Sequence, residues 1–177
     1  MTAEQIRELF GVVPYFADTR IEAFQPAHFI RSMGHCDSAS VNIGLVYGTS
    51  HPAYQGITWR EFLGRGEKMK KNLDRFTVNP EYYLSHERSG TPPFFCFQDG
   101  KGYVAEDGNH RACIAKFFLY AQPSPLLHGV HLVDVQPLQA LRPLPQPSEL
   151  RVSDAPHKAT SFWCPISMFQ QLKPATR

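Results

Sequence analysis

With 177 residues and 42% hydrophobic content, the chain can bury one good core and is short for a second full domain. A formal charge of +2 gives no global polyanion signal, so nucleic-acid binding has to rest on a local patch. No apolar run approaches the roughly 20 residues needed to cross a bilayer, so membrane insertion is not expected.

From the start of the chain, Thr2-Ala-Glu-Gln5 reads as a capping box for a short helix that buries Ile6, Leu9 and Phe10 and stops at Gly11. There is no apolar signal-peptide core here. The four cysteines, Cys36, Cys96, Cys113 and Cys164, lie far apart and form no C-x-x-C pair, so a reducing bacterial cytoplasm is the expected location. Cys96 and Cys113 sit among apolar neighbours and read as small core residues. Residues 26–33 predict a second short helix, with proline in its first turn and Gly34 just past its end. His28 and His35 lack acidic or cysteine partners at metal spacing, so they read as surface or structural histidines; the same holds for His51, His128, His131 and His157.

Residues 41–47 predict a strand, and Gly48, Ser50 and Pro52 lead from it into a loop. Thr58-Trp-Arg-Glu61 is a second capping box, opening an amphipathic helix whose apolar side is Trp59, Phe62, Leu63, Met69, Leu73 and Phe76. At about 100° per residue Lys70 falls inside that sector, where it either meets a phosphate or snorkels to solvent. Arg60, Lys68, Lys71 and Arg75 fall on the opposite side. Between residues 60 and 75 six basic side chains face three acidic ones, a local +3 that leaves −1 for everything else. That face is either simply solvated or a surface that tracks DNA phosphates without reading sequence.

Residues 79–93 form a long polar connection. Residues 94–97 and 103–106 predict a hairpin around Asp99-Gly100, and residues 130–135 another strand. Recurrent prolines over 137–156 indicate an extended run, and residues 161–169 return to apolar character. The expected organisation is one α/β (α+β) domain over 1–147, a small mixed sheet flanked by helices, with an extension over 148–177 that docks on it.

The most informative segment is Tyr103-Val-Ala-Glu-Asp-Gly-Asn-His-Arg-Ala-Cys-Ile-Ala-Lys-Phe-Phe118, where a strand runs through a polar turn into an apolar helix. The helix is expected to be buried nearly all round, with Arg111 and Lys116 its only charges. Its first turn presents unpaired N–H groups and the positive dipole end beside Gly108, where a phosphate fits. His110 and Arg111 would add side-chain donors. Glu106 and Asp107 repel phosphate unless a divalent cation lies between, and carboxylates of this type suit magnesium or manganese. Asp107 is alternatively an N-cap.

Residues 92–112, Pro-Pro-Phe-Phe-Cys-Phe-Gln-Asp-Gly-Lys-Gly-Tyr-Val-Ala-Glu-Asp-Gly-Asn-His-Arg-Ala, followed by Gly129-Val-His-Leu-Val-Asp-Val135, resemble the ParB/sulfiredoxin superfamily in their order of elements. The resemblance covers roughly the middle third of the chain. It implies that Gly108, Asn109, His110 and Arg111 bind nucleotide phosphates, with Lys70 facing the nucleotide from the preceding helix. Sulfiredoxins carry a reactive cysteine immediately before the His-Arg pair; this chain has Asn109 there, and an amide supplies no thiolate. A helix-turn-helix of the partition type has no room either. Stand-alone members of this size resemble plasmid-encoded fertility-inhibition factors. That likeness implies ATPase and DNase activity with ATP and magnesium or manganese, catalysed by Glu106, Asp107, His110 and Arg111, and a block on conjugative or T-DNA transfer. The second reading is a non-catalytic protein that occupies DNA or a conjugative secretion component.

Overall fold

Two capping boxes set where the first helices begin. In α1 (Ala3–Phe10) the Thr2 hydroxyl accepts from the Gln5 N–H at 3.2 Å while the Gln5 side chain accepts from the Thr2 N–H at 2.8 Å. Gly11, at φ 78°, ends the helix in the left-handed region. Thr58 and Glu61 repeat the exchange at the head of α2 (Trp59–Leu63). In this computed structural model residues 1–28, 30–86, 90–105 and 107–137 are described, and they belong to one compact unit. The extension expected over 148–177 and the candidate residue Glu106 lie outside them.

The single helix expected from residue 58 onward is two helices. Gly64 closes α2, and α3 (Gly66–Val78) starts afresh at Gly66, whose φ is 79°. A helical wheel drawn across that break loses its phase, and Lys70 is correspondingly exposed rather than inside the apolar sector. Trp59, Phe62, Leu63, Met69 and Phe76 are buried as expected.

Six strands build one mixed sheet: β1 (Glu22–Ala23), β2 (Ile30–Asn42), β3 (Val46–Thr49), β4 (Phe94–Gln98), β5 (Lys101–Val104) and β6 (Leu126–Pro137). Their order is β1-β3-β5-β4-β6-β2, antiparallel at β4/β5 and β2/β6 and parallel at β1/β3, β3/β5 and β4/β6. The β4/β5 hairpin turns on Asp99 (φ 52°) and Gly100 (φ 76°), the left-handed pair that a two-residue loop of this twist requires. β5 ends at Val104, two residues before the expected limit.

Two further expectations fail for tertiary reasons. Instead of a helix over 26–33, the chain enters β2 at Ile30, and Gly34 is a strand residue paired with Asp134 rather than a helix stop. Pairing with β6 along nearly its whole length outweighs a weak local helix signal. The strand expected over 41–47 is interrupted by a 3-10 turn at Ile43–Leu45, where the Asn42 side chain accepts from the Gly44 N–H at 2.9 Å.

α4 (Asn109–Tyr120) fills the core. Ala112, Cys113, Ile114, Ala115, Phe117 and Leu119 are each at most 1% exposed, so the helix is buried nearly all round as its composition demands. Lys116 is buried with them. Its ammonium donates to the carbonyls of Val46 at 2.8 Å and Ile43 at 3.1 Å and lies 4.6 Å from the Phe16 ring centre. It thereby anchors the chain turn between β2 and β3 to the middle of α4. Burial pushes the Lys116 amine down to about 8. No helix among the described residues is long and apolar enough to cross a membrane.

Because the native amine loses its proton near pH 8 and the unfolded one near 10.5, the unfolded chain binds more protons in that window and stability rises with pH across it. Urea unfolding at pH 7.5 and 10 should show this gain in the wild type relative to Lys116→Met, which has nothing to titrate there. At pH 7.5 the variant, which loses the ammonium's hydrogen bonds to the Ile43 and Val46 carbonyls, should be less stable by about 1–3 kcal/mol.

Candidate functional site

β3 and β5 are parallel neighbours, with Thr49 in register with Val104, so the segments leaving their C-terminal ends emerge at one edge. One is the 50–54 segment and the other is the Asp107-Gly-Asn-His-Arg turn into α4. The Ser50 N–H donates to the Val104 carbonyl at 2.9 Å, and the Ser50 hydroxyl to that of Ala105. The Thr49 hydroxyl lies 2.5 Å from Asn109 Oδ1 and 3.2 Å from the Val104 carbonyl. Asn109 is therefore buried and committed to holding the two segments together.

Gly108 is the N-cap of α4, at φ 99°. Asp107 does not cap the helix as the alternative reading had it. Its Oδ1 accepts from the Gly108 N–H at 2.7 Å and its Oδ2 from Arg111 at 3.1 Å. With no side chain on the N-cap residue, the first-turn N–H groups of α4 gain no cap from it. The space above Gly108 is used by the protein itself: a Cβ there would meet Pro93 at 2.7 Å. Close packing on Pro93, rather than ligand approach, accounts for glycine at this position.

Arg111 is a clamp. Besides Asp107 it donates to the Tyr82 hydroxyl at 3.2 Å and to the Thr91 carbonyl, tying these two positions to the turn. Its side chain remains 20% exposed. His110 is buried, its ring 5.4 Å from that of Tyr54 and 5.3 Å from that of Phe62, and His51 stacks on Tyr54 at 4.4 Å. Burial holds His110 below the ordinary imidazole range, and the charges of Lys68 and His51 push the same way against Asp107.

The structure thus gathers Asp107, Gly108, Asn109, His110 and Arg111 at one turn and brings Lys68 within electrostatic reach of His110. Lys70 is exposed on α3, as are Lys71 and Arg75. Arg60 is paired with Asp18 at 2.6 Å. Local sequence reading did not connect His51, Tyr54 and Tyr82 with this turn and assigned Lys68 to a DNA-facing surface instead, because their approach to His110 and Arg111 depends on which elements are neighbours. Among the described residues the turn offers one carboxylate, Asp107, and both its oxygens are engaged. These donors fit an anion; taken alone they do not fit a divalent cation.

Comparison of the chain with protein-family profiles, characterised proteins and solved structures gave no match.

Replacing Gly108 by alanine should be costly twice over, through left-handed strain and through collision with Pro93. A loss of about 2 kcal/mol or more in urea unfolding is expected, together with faster proteolysis of the 79–93 connection.

Proposed function

We propose that this protein binds phosphate groups, those of a nucleotide first of all, at the head of α4. The observation that carries the reading is the convergence of cationic and N–H donors on one helix start. The Gly108 N-cap has no side chain to cover the first turn, Arg111 is held there in a fixed orientation, and His110 lies under the field of Lys68.

The proposal includes a division of labour. Arg111, already bonded to Asp107, Thr91 and Tyr82, presents its remaining N–H donors in a set direction. Lys68 supplies a mobile charge. His110, held neutral near pH 7 by burial, takes up a proton when an anion arrives, since a nearby negative charge favours imidazolium. The resemblance to ParB/sulfiredoxin proteins extends the proposal to ATP as the nucleotide, to ATP or DNA phosphodiester hydrolysis and to restraint of conjugative transfer. On that extension magnesium or manganese would be held at Glu106 and Asp107. Asp107 itself is committed to Gly108 and Arg111. For DNA, Lys68, Lys71 and Arg75, spaced i, i+3 and i+7 on α3, form one basic stripe suited to backbone phosphates.

Thermal unfolding with ATP, with and without magnesium, tests the reading. ATP should raise the melting temperature of the wild type, because a ligand that binds only the native state must do so. Lys68→Ala and His110→Gln should lose most of that shift relative to their own apo values, and Lys70→Ala should keep it. Equal shifts in all proteins, or none in the wild type, would overturn the proposal, and phosphate release measured in parallel separates hydrolysis from binding.

Proton uptake adds a pH signature. Calorimetric affinity for ATP without metal should strengthen as pH falls from 7.5 to 6, by up to about tenfold per unit, and His110→Gln should flatten that dependence.

A further inference from the structure

Away from the α4 turn, the pairing of β2 with β6 assembles a second group of side chains. His35 and Asp37 are two residues apart on β2, so they project from the same face of the sheet. β6 runs antiparallel beside it with His35 opposite Val133, which brings His131, two residues earlier on β6, to the position facing Asp37. The register slips between Cys36 and Ala39, and a bulge of this kind re-aims neighbouring side chains. As a result Nδ1 of His35 lies 3.5 Å and Nδ1 of His131 4.0 Å from Oδ1 of Asp37. One ligand atom from each of the three residues falls within a common 4.8 Å. The two imidazoles meet edge to face, 90° apart, rather than stacked.

We propose that His35, Asp37 and His131 bind one divalent transition-metal ion, of the zinc, cobalt, nickel or iron(II) class. Two imidazole nitrogens and one carboxylate oxygen suit borderline metals and disfavour magnesium and calcium, which take all-oxygen sets. Bonds of about 2.0–2.2 Å place neighbouring ligand atoms about 3–3.5 Å apart, so the observed spacing needs only a small inward movement. His35 and Asp37 are exposed and have the rotational freedom for it. Three protein ligands leave the remaining coordination positions to water or to a small oxygen-donor ligand, as in open metal sites. An ion pair between a histidine and Asp37 would account for two of these residues at a time; the convergence of all three on one point is what a metal requires. This site is separate in chemistry from the phosphate site, taking a cation where the α4 turn takes an anion.

The test is a titration of the full chain, stripped with EDTA, with Co²⁺ alone. The wild type should take up one equivalent and develop visible d–d absorption, which reports nitrogen and oxygen ligation directly. His35→Ala, Asp37→Asn and His131→Ala should each weaken binding at least tenfold while leaving the metal-free melting temperature unchanged, and excess Mg²⁺ should not compete. Absence of saturable uptake would overturn the proposal, as would a one-equivalent spectrum that persists in the three variants. Since no phosphate ligand is present, failure here leaves the nucleotide reading untouched.

Discussion

The constraint on which the rest of this structure depends is a charged side chain inside an apolar helix. α4 is the central packing element, and a helix buried on nearly every side has few places to be joined to its surroundings by anything directional. Lys116 supplies that join by donating to the carbonyls of Ile43 and Val46, which belong to the turn between β2 and β3. Phe16 and Trp59 cover the ammonium with their ring faces. A buried ammonium is costly unless its donors are used, so this arrangement fixes the depth and rotation of α4 relative to the sheet. That rotation in turn sets where its first turn points.

At that first turn most of the polar atoms serve structural demands. Gly108 is there because Pro93 leaves no room for a Cβ, Asn109 because Thr49 has to be met across the β3/β5 edge, and Asp107 because Gly108 and Arg111 both donate to it. His110, Lys68 and the outer donors of Arg111 are what remains for a ligand. A turn so thoroughly bonded is preorganised, and preorganisation lowers the ordering cost of binding. With only one described carboxylate, itself paired with an arginine, this helix start carries the donor set on which the anion-binding proposal rests.

The two candidate sites draw on different properties of the sheet. The α4 turn arises where parallel strands end side by side and their following segments converge. The His35, Asp37 and His131 group arises from alternation along a strand and antiparallel register at the β2 edge.

Much of this was legible in sequence. Both N-terminal capping boxes, the Asp99-Gly100 hairpin, the all-round burial of the helix after Gly108 and the polar turn before it follow from local chemistry, in which each signal and its structural consequence lie within a few residues. What failed depended on distant partners. Residues 30–33 became strand because β6 lies alongside. Lys70 lost its inward direction because the chain breaks at Gly64, and Lys68 took the place near His110. His35 and His131, read singly as surface or structural histidines, joined Asp37 in a candidate metal group because antiparallel register brings residue 131 to residue 37. Sequence alone thus determined the helix starts after Thr2, Thr58 and Gly108, the Asp99-Gly100 turn and the buried faces of these helices, since these are set by short-range hydrogen bonding and apolar periodicity. Only the tertiary structure decided which charges meet, since that depends on strand order and register, and no spacing along the chain encodes either.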